Sequence, residues 1–393
     1  MHPMRSILAI LPLVLGVLAL PGCPTPLDLD HVRFKAIEMY SWSGPSYCVG
    51  RPVQLGVELI SAEGDRYRTA KKGEETTDRI PMEEFSFSAV GGDVDAEGFV
   101  TDHEPLATLQ QPLEIQVSFR RDPHLEADLS LAPRYDCERE IVLRGASGQD
   151  GEIGPQGEAG IIGEDGLAAG AAGTGQPGNP GNPGLSGGSG GDGPEVEIAV
   201  GMITTRWNRL VVLLRISRLD TPEAPPAYHL IEAGASEGFV ISVEGGPGGS
   251  GGSGGRGGNG GDGGNNTGGQ QPGDGGEGGI GGDGGDGGDG GQGGTIHVVY
   301  DDAHPELLQW LRFSNPGGRG GRGGHGGNGG WGGRGGTSTQ EKETLDGLPG
   351  QPGGDGRKGH SGGLGPPGPE IDTAAKPRDD LFSQEMAQGL RFR

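Results

Sequence analysis

The stretch that decides the fold is Gly275-Gly-Glu-Gly-Gly-Ile-Gly-Gly-Asp-Gly-Gly-Asp-Gly-Gly-Asp-Gly-Gly-Gln-Gly-Gly294, an unbroken Gly-Gly-X repeat. Glycine recurs at every third position in five further runs of similar length. A flexible linker requires neither a period of three nor a matched length, whereas a bundle of rods that span one layer requires both. The six glycine segments, numbered 1 to 6 in chain order, are Gly145–Gly166, Gly175–Gly193, Gly245–Gly264, Gly275–Gly294, Gly317–Gly336 and Gly347–Gly368.

A period of three residues matches the polyproline-II helix, which has three residues per turn and rises about 3.1 Å per residue. Glycine at fixed faces of such a helix lets neighbouring backbones approach and form hydrogen bonds with one another. The connections within successive pairs of segments are short, namely Leu167–Thr174, Asn265–Asp274 and Thr337–Asp346. The pattern predicts three rod hairpins, over residues 145–193, 245–294 and 317–368.

These repeats resemble known glycine-rich proteins over about half of the chain. The Gly-Gly-X runs resemble the polyglycine-II bundles of springtail antifreeze proteins and of some phage tail-tip adhesins. Segments 1, 2 and 6 are similar to collagen repeats, as in Gly151-Glu-Ile-Gly-Pro-Gln-Gly-Glu-Ala-Gly160 and Gly365-Pro-Pro-Gly368. The resemblance implies an intrachain bundle. A collagen-type trimer and a disordered glycine-rich stalk stay open as alternatives, because glycine loses much backbone entropy on folding.

The N-terminal 23 residues have the pattern of an export signal. Arg5 precedes the apolar run Ile7–Leu20, which is too short to span a bilayer. The run leads into Leu20-Pro21-Gly22-Cys23, which resembles the lipobox of bacterial lipoproteins. This resemblance implies a lipid on Cys23 and membrane attachment through it. Because no Asp follows Cys23, it also implies the outer membrane or cell surface of a Gram-negative-type bacterium. Plain signal-peptide cleavage is the alternative.

Residues 28–144 are expected to form a β-sandwich. Apolar alternation marks strands within them, for example over Val53–Ile60 and Leu113–Phe119. With Cys23 set aside, Cys48 and Cys137 remain, and two cysteines in an exported chain most simply form one disulfide. We therefore predict a Cys48–Cys137 bond that closes this domain.

The sequence between and after the hairpins predicts a discontinuous β-rich cap, made of residues 194–244, 295–316 and 369–393. The cap also has two predicted helices, at His304–Leu311 and within Arg378–Gln388. The expected fold is thus mainly β with polyglycine-II rods rising from a shared base. The predicted cap strands are Val196–Met202, Leu210–Ile216, His229–Glu232, Phe239–Val243, Ile296–Tyr300 and Leu311–Ser314.

Charge and motifs narrow the function. The formal charge of −24 argues against nucleic acid and anionic membrane surfaces as partners. No His-Glu-x-x-His motif, metal-spaced cysteine pair or Gly-x-Ser-x-Gly motif occurs, so we expect no enzyme, cofactor or metal site. The predicted function is a structural or adhesive surface protein, with ligand and oligomeric state unspecified. An ice-binding protein of the springtail type is the alternative, although the charged X positions make a poor ice-binding face.

A register hypothesis concerns segments 4 and 5. If they lie antiparallel in full register, opposite charges and one apolar pair face each other. Exposed pairs of this kind specify register more than they stabilise, at about 0–1 kcal/mol each. The four predicted pairs are Asp289 with Arg322, Asp286 with His325, Glu277 with Arg334, and Ile280 with Trp331.

Overall fold

The structure is a computed structural model that describes residues 29–75, 79–164, 171–235, 238–268, 270–338 and 346–392. The chain divides into two compact units, Met1–Pro133 and Arg134–Arg393. Both are rich in β-strands. Across the residues that the structure describes, helices are short, and none has the length and apolar character that crossing a membrane requires.

The first unit contains two antiparallel sheets. One has the order β1-β3-β7-β6 with β4 paired to β3, and the other has the order β2-β9-β8-β5. Short 3-10 helices span Met82–Glu84 and Pro105–Leu109. The strands are β1 (Phe34–Ser41), β2 (Ser46–Cys48), β3 (Val53–Ser61), β4 (Arg66–Arg68), β5 (Phe85–Val90), β6 (Gly92–Val94), β7 (Phe99–Asp102), β8 (Leu113–Phe119) and β9 (Asp122–Arg134).

Alternation builds the core of this unit, because successive side chains of a strand point to opposite faces of a sheet. Leu55, Val57 and Leu59 of β3 and Ile115 and Val117 of β8 are buried in one hydrophobic cluster, so both sheets share it. Strand β9 is not among the strands that we predicted from the sequence. Its signal was nevertheless present as an alternating apolar pattern at residues 125, 127, 129 and 131.

The second unit contains two further sheets and several short helices. A parallel sheet has the order β10-β14-β16, and a mixed sheet has the order β13-β12-β11-β15-β17. A 3-10 helix spans Ala233–Ala235. The remaining elements are β10 (Glu140–Arg144), β11 (Glu195–Thr204), β12 (Leu210–Arg218), β13 (Ala227–Glu232), β14 (Phe239–Glu244), β15 (Thr295–Asp301), β16 (Leu311–Ser314), β17 (Asp372–Lys376), α1 (Leu307–Trp310), α2 (Arg378–Leu381) and α3 (Ser383–Ala387).

Strand β10 belongs to the second unit, which differs from the predicted domain boundary at residue 144. It pairs in parallel with β14, with Ile141 beside Ile241. Ile141 is buried in a hydrophobic cluster that also holds Val196, Ile198 and Val298 of the mixed sheet. The apolar face of β10 thus packs against residues of the second unit. The division of the chain therefore falls after Pro133, before β10.

The C-terminal helices lie on the mixed sheet, where the sequence placed a helical tail. Leu381 and Phe382 are buried. The Glu385 carboxylate, also buried, accepts hydrogen bonds from Nη1 of Arg215 at 3.2 Å and from the hydroxyl of Tyr228 at 2.9 Å. Burial, together with this carboxylate, raises the pKa of Tyr228 to about 12. Strands β12 and β13 therefore fix the tail by a buried polar cluster as well as by packing.

His297 of β15 links three strands and predicts a pH-dependent contribution to stability. Its Nδ1 lies 2.8 Å from Asp372 of β17 and its Nε2 lies 3.2 Å from Glu195 of β11. Both carboxylates raise the pKa of His297, Asp372 the more strongly. A histidine with a raised pKa in the folded state stabilises the folded protein. Its contribution to the free energy of unfolding is complete below the unfolded-state pKa of about 6.5, and it is lost as the pH rises through the folded-state pKa.

We therefore expect His297→Gln to lower the melting temperature at about pH 5.5 and to have little effect at about pH 9. Thermal melts of both proteins across this range measure the difference. His325→Gln, an exposed substitution in glycine segment 5, is the control. A difference between wild type and His297→Gln that stays constant with pH would contradict the assignment.

Candidate functional site

The six glycine segments form the candidate site, and backbone hydrogen bonds join them into one network. The N···O distances in this network lie between 2.7 and 3.0 Å. The N–H of Gly148 donates to the carbonyl of Pro247, which makes segments 1 and 3 parallel neighbours. The N–H of Gly285 donates to the carbonyl of Gly252, which makes segments 4 and 3 antiparallel neighbours. Such bonds recur at every third residue.

The pairing pattern defines two layers. Segments 1, 3 and 5 are joined in parallel, as are segments 2, 4 and 6. Each segment from 2 to 6 also donates to the segment before it, and these bonds between layers are antiparallel. Segments 3 and 4 therefore each have four neighbours, whereas segments 1 and 6 each have two.

The cap sheets continue into these layers. Strands β10, β14 and β16 lead into segments 1, 3 and 5, and segments 2, 4 and 6 lead into β11, β15 and β17. The register is continuous across the junction, since Arg144 pairs with Glu244 in the sheet and Gly148 then bonds to Pro247. The two sheets therefore set the register of the two layers.

Close backbone approach explains the glycines. A Cβ at Gly285 would lie well under 3.0 Å from the carbonyl oxygen of Leu185, and one at Gly324 would lie equally close to that of Gly252. Real side chains do not tolerate such contacts with backbone. Segments 3, 4 and 5, which are the strict Gly-Gly-X runs, each have three or four neighbours.

The collagen-like composition of segments 1, 2 and 6 follows from the room at the second position of their triplets. A Cβ would meet nothing within 4 Å at Gly354 and no atom closer than 3.2 Å at Gly188, so these triplets need only one glycine in most cases. Large side chains there, such as Ile153 and Leu185, are exposed. Proline occurs where no neighbour accepts a hydrogen bond, because proline has no N–H to donate. Segment 2 carries these prolines at Pro177, Pro180 and Pro183.

Aspartate and asparagine side chains add a second set of bonds between parallel segments. Asp283 and Asp286 of segment 4 accept hydrogen bonds at 2.7 Å from the backbone N–H groups of Arg357 and His360 of segment 6. Asn259 of segment 3 accepts one at 3.0 Å from the N–H of Trp331 of segment 5. The acidic row of segment 4 is therefore partly a backbone-capping device. The N–H of His360 also lowers the pKa of Asp286.

This role predicts a difference between amide and methyl replacements in the acidic row. Asparagine retains a side-chain oxygen that accepts the N–H bond, whereas alanine does not. We expect Asp283→Ala combined with Asp286→Ala and Asp289→Ala to lower the melting temperature measurably. The three asparagine replacements should leave it nearly unchanged. Equal melting temperatures for the two triple variants would contradict the capping role.

The predicted side-chain pairs between segments 4 and 5 require correction. The two segments are antiparallel neighbours, joined by bonds such as Gly324 N–H to the carbonyl of Gly285. Their X side chains, however, lie on opposite layers. Among the described residues, ion pairs join none of the three predicted charged pairs. Asp286 instead lies 3.3 Å from Nδ1 of His360.

The predicted apolar pair between segments 4 and 5 is not buried. Ile280 and Trp331 are 58% and 68% exposed, so neither buries the other substantially. Glu277, Arg322 and Arg334, like Asp289, lie on exposed X positions.

The Cys48–Cys137 disulfide is present, which confirms the predicted pairing of these two cysteines. Cys23 lies outside the described residues.

Comparisons with known proteins assign this chain to no group, since no family model, curated protein or solved structure matches it. Within the described part of the chain, no group of three or more His, Cys, Asp or Glu side chains is arranged to hold a metal ion. The candidate site is therefore defined by its own geometry, which is a rigid backbone lattice with side chains on two faces.

Proposed function

We propose that this chain is a non-enzymatic, lipid-anchored cell-surface protein with a structural or adhesive role. In this proposal the first unit is a β-sandwich, and the six segments are polyglycine-II helices that form one bundle on the β-rich cap. The network of backbone hydrogen bonds between segments is the observation that carries the proposal. Such a bundle is stiff because every inner backbone is held by neighbours on several sides.

The hydrogen-bond donors favour an intrachain bundle over a collagen trimer. In segments 3 and 4, both glycines of each triplet donate to carbonyls of the same chain, as Gly251 does to Arg322 and Gly252 to Leu185. A collagen triple helix uses one glycine per triplet and takes its partners from two other chains. The same bonds oppose disorder, because each segment that adds to the bundle satisfies both its own donors and its neighbours' acceptors.

The outward side chains favour adhesion or spacing over ice binding. At about 3.1 Å per residue, X side chains on one polyglycine-II helix recur about every 9 Å. In segment 5 three of the six X side chains are arginine, and in segment 4 four of the six are acidic. A fixed array of charged groups is suited to repeated contacts with a partner, since linked weak contacts strengthen one another.

Anchoring is tested by replacing the proposed lipid-bearing residue. The natural gene and Cys23→Ser are expressed in a Gram-negative host, and cells are fractionated after labelling with radioactive palmitate. We expect the wild type in the membrane fraction, labelled and released only by detergent, and the variant unlabelled. Intact cells treated with a membrane-impermeant biotin reagent report surface exposure. An unlabelled, readily released wild type would refute the anchor, and a wild type that escapes biotin would refute surface display.

A further inference from the structure

The exposed edge of segment 5 combines cationic side chains with unused backbone donors. Arg319, Arg322 and Arg334 occupy X positions there, with His325 and Trp331 between them, and all are exposed. Within the described residues, none of the three guanidinium groups has a carboxylate within ion-pair distance, although the chain as a whole carries a charge of −24. These exposed guanidinium groups are therefore available to pair with an anionic ligand.

The backbone of segment 5 supplies a second, independent row of donors. In segments 1 to 4, the first glycine of each triplet donates to the next parallel segment, as Gly251 does to Arg322. Segment 5 has no further parallel neighbour. Among the described residues, no acceptor lies within hydrogen-bond distance of the N–H groups of Gly320, Gly323, Gly326 and Gly332, whereas the N–H of Gly329 donates to Oδ1 of Asp355 in segment 6 at 2.9 Å. Gly320 and Gly323 directly follow arginines, Gly326 follows His325 and Gly332 follows Trp331.

We propose that this edge binds a linear anionic polysaccharide, which lies along segment 5. This inference rests on the proposed surface role of the bundle and names the ligand class. Carboxylate oxygens accept hydrogen bonds from both backbone N–H and guanidinium groups, and charge-assisted bonds of this kind are the stronger ones. The exposed indole of Trp331 offers an amphipathic face for a sugar ring.

The spacing of the row favours a polysaccharide over nucleic acid. Arg319 and Arg322 are about 9 Å apart along a polyglycine-II helix, whereas phosphates of one DNA strand are about 3.4 Å apart. In an extended polymer of uronic acids, the carboxylates of every second sugar lie on the same side of the chain, and their repeat is comparable with the spacing of the row. The net charge of −24 further opposes a nucleic-acid partner.

A second copy of the chain does not fit this edge. A seventh segment would need glycine at the second position of its triplets, because a Cβ there meets a backbone carbonyl, as at Gly324. Segments 1 and 2 carry larger residues at this position, among them Gln149, Glu152 and Leu185. The occupant must therefore bring acceptor atoms without a peptide backbone at that distance.

The proposal is tested by titration calorimetry with an oligogalacturonate. The full exported chain is used with Cys23→Ser so that it remains soluble, and neutral dextran and duplex DNA of similar length are compared. We expect Arg319→Gln combined with Arg322→Gln to weaken oligogalacturonate binding about tenfold or more. Trp331→Ala should weaken it about fivefold. The control, Arg357→Gln on segment 6, removes a cationic side chain of a residue whose backbone N–H bonds to segment 4, and should change binding less than about twofold.

Amide exchange gives a readout that links binding to the geometry. Saturating oligogalacturonate should slow exchange at Gly320 and Gly326, which are both partly exposed, in the wild type. The proposal is overturned by any of four results: no binding, equal binding of dextran or DNA, an equal loss in the segment 6 control, or unchanged exchange at these glycines. As a control for folding, the melting temperature of each variant is compared with that of the wild type, and we expect similar values. The anchoring test depends on Cys23 alone, so the two proposals fail separately.

Discussion

Replacing Gly353 with alanine is expected to destabilise the second unit by about 2–3 kcal/mol, whereas the same change at Gly354 should not. A Cβ at Gly353 would lie well under 3.0 Å from the carbonyl oxygen of Gly279, and the backbone on both sides is held by other bonds. A Cβ at Gly354 would meet nothing within 4 Å. There alanine should be neutral or stabilising by up to about 1 kcal/mol, since it restricts the unfolded chain.

Urea unfolding followed by circular dichroism measures both variants against the wild type. The pair is closely matched, because the two glycines are adjacent and the substitution is identical. Leu364→Ala in the same segment is a further control, in which a side chain that is 75% exposed changes and no clash arises. If Gly353→Ala and Gly354→Ala unfold at the same urea concentration, the close packing of segment 6 against segment 4 is wrong.

Loss of the Cys48–Cys137 bond is expected to have a comparable effect on the protein. The bond closes a loop of about 90 residues, and removal of native disulfides from exported domains typically costs about 2–5 kcal/mol. The double variant Cys48→Ala with Cys137→Ala should therefore unfold at a lower urea concentration than the wild type. Much of this effect arises in the unfolded chain, which is less restricted without the bond.

Two controls accompany this prediction. Cys23→Ser should leave the unfolding curve unchanged, because that cysteine is expected to carry lipid and not to form a disulfide. A reducing agent should shift the wild type towards the double variant and leave the variant itself where it was. A wild type that is insensitive to reduction would contradict a stabilising disulfide. A mass-spectrometric peptide that joins Cys23 to either of the other cysteines would contradict the pairing.

Much of the cap could be read from the sequence, because buried strands leave an apolar pattern. Strands β11, β14 and β15 each include the stretch predicted for them. Strand β10 was assigned to the wrong unit, since its alternation shows that one face is buried but not which core covers it. The buried residues that share a hydrophobic cluster with Ile141 lie about 55 to 160 positions further along the chain.

The candidate site was less predictable than the fold. The period of three and the glycine pairs indicate that backbones pack closely, but they do not specify layers. Segments 4 and 5 were expected to face each other through their X side chains. In the structure they meet through glycine, as in the bond from the N–H of Gly324 to the carbonyl of Gly285, and their predicted charged pairs are not formed. The capping bonds of Asp283 and Asp286 end on backbone N–H groups, which carry no sequence signature.

The most direct test of the central claim is amide hydrogen exchange in segment 5, resolved at single glycines by NMR on the full exported chain. We predict that slowly and rapidly exchanging glycines alternate along segment 5. Gly321, Gly324 and Gly327 donate to segment 4 and should exchange about as slowly as the inner strand β11. Gly320 and Gly326 are partly exposed, have no backbone acceptor among the described residues and should exchange rapidly. Uniformly fast exchange at all five glycines would contradict the bundle and indicate a disordered stalk.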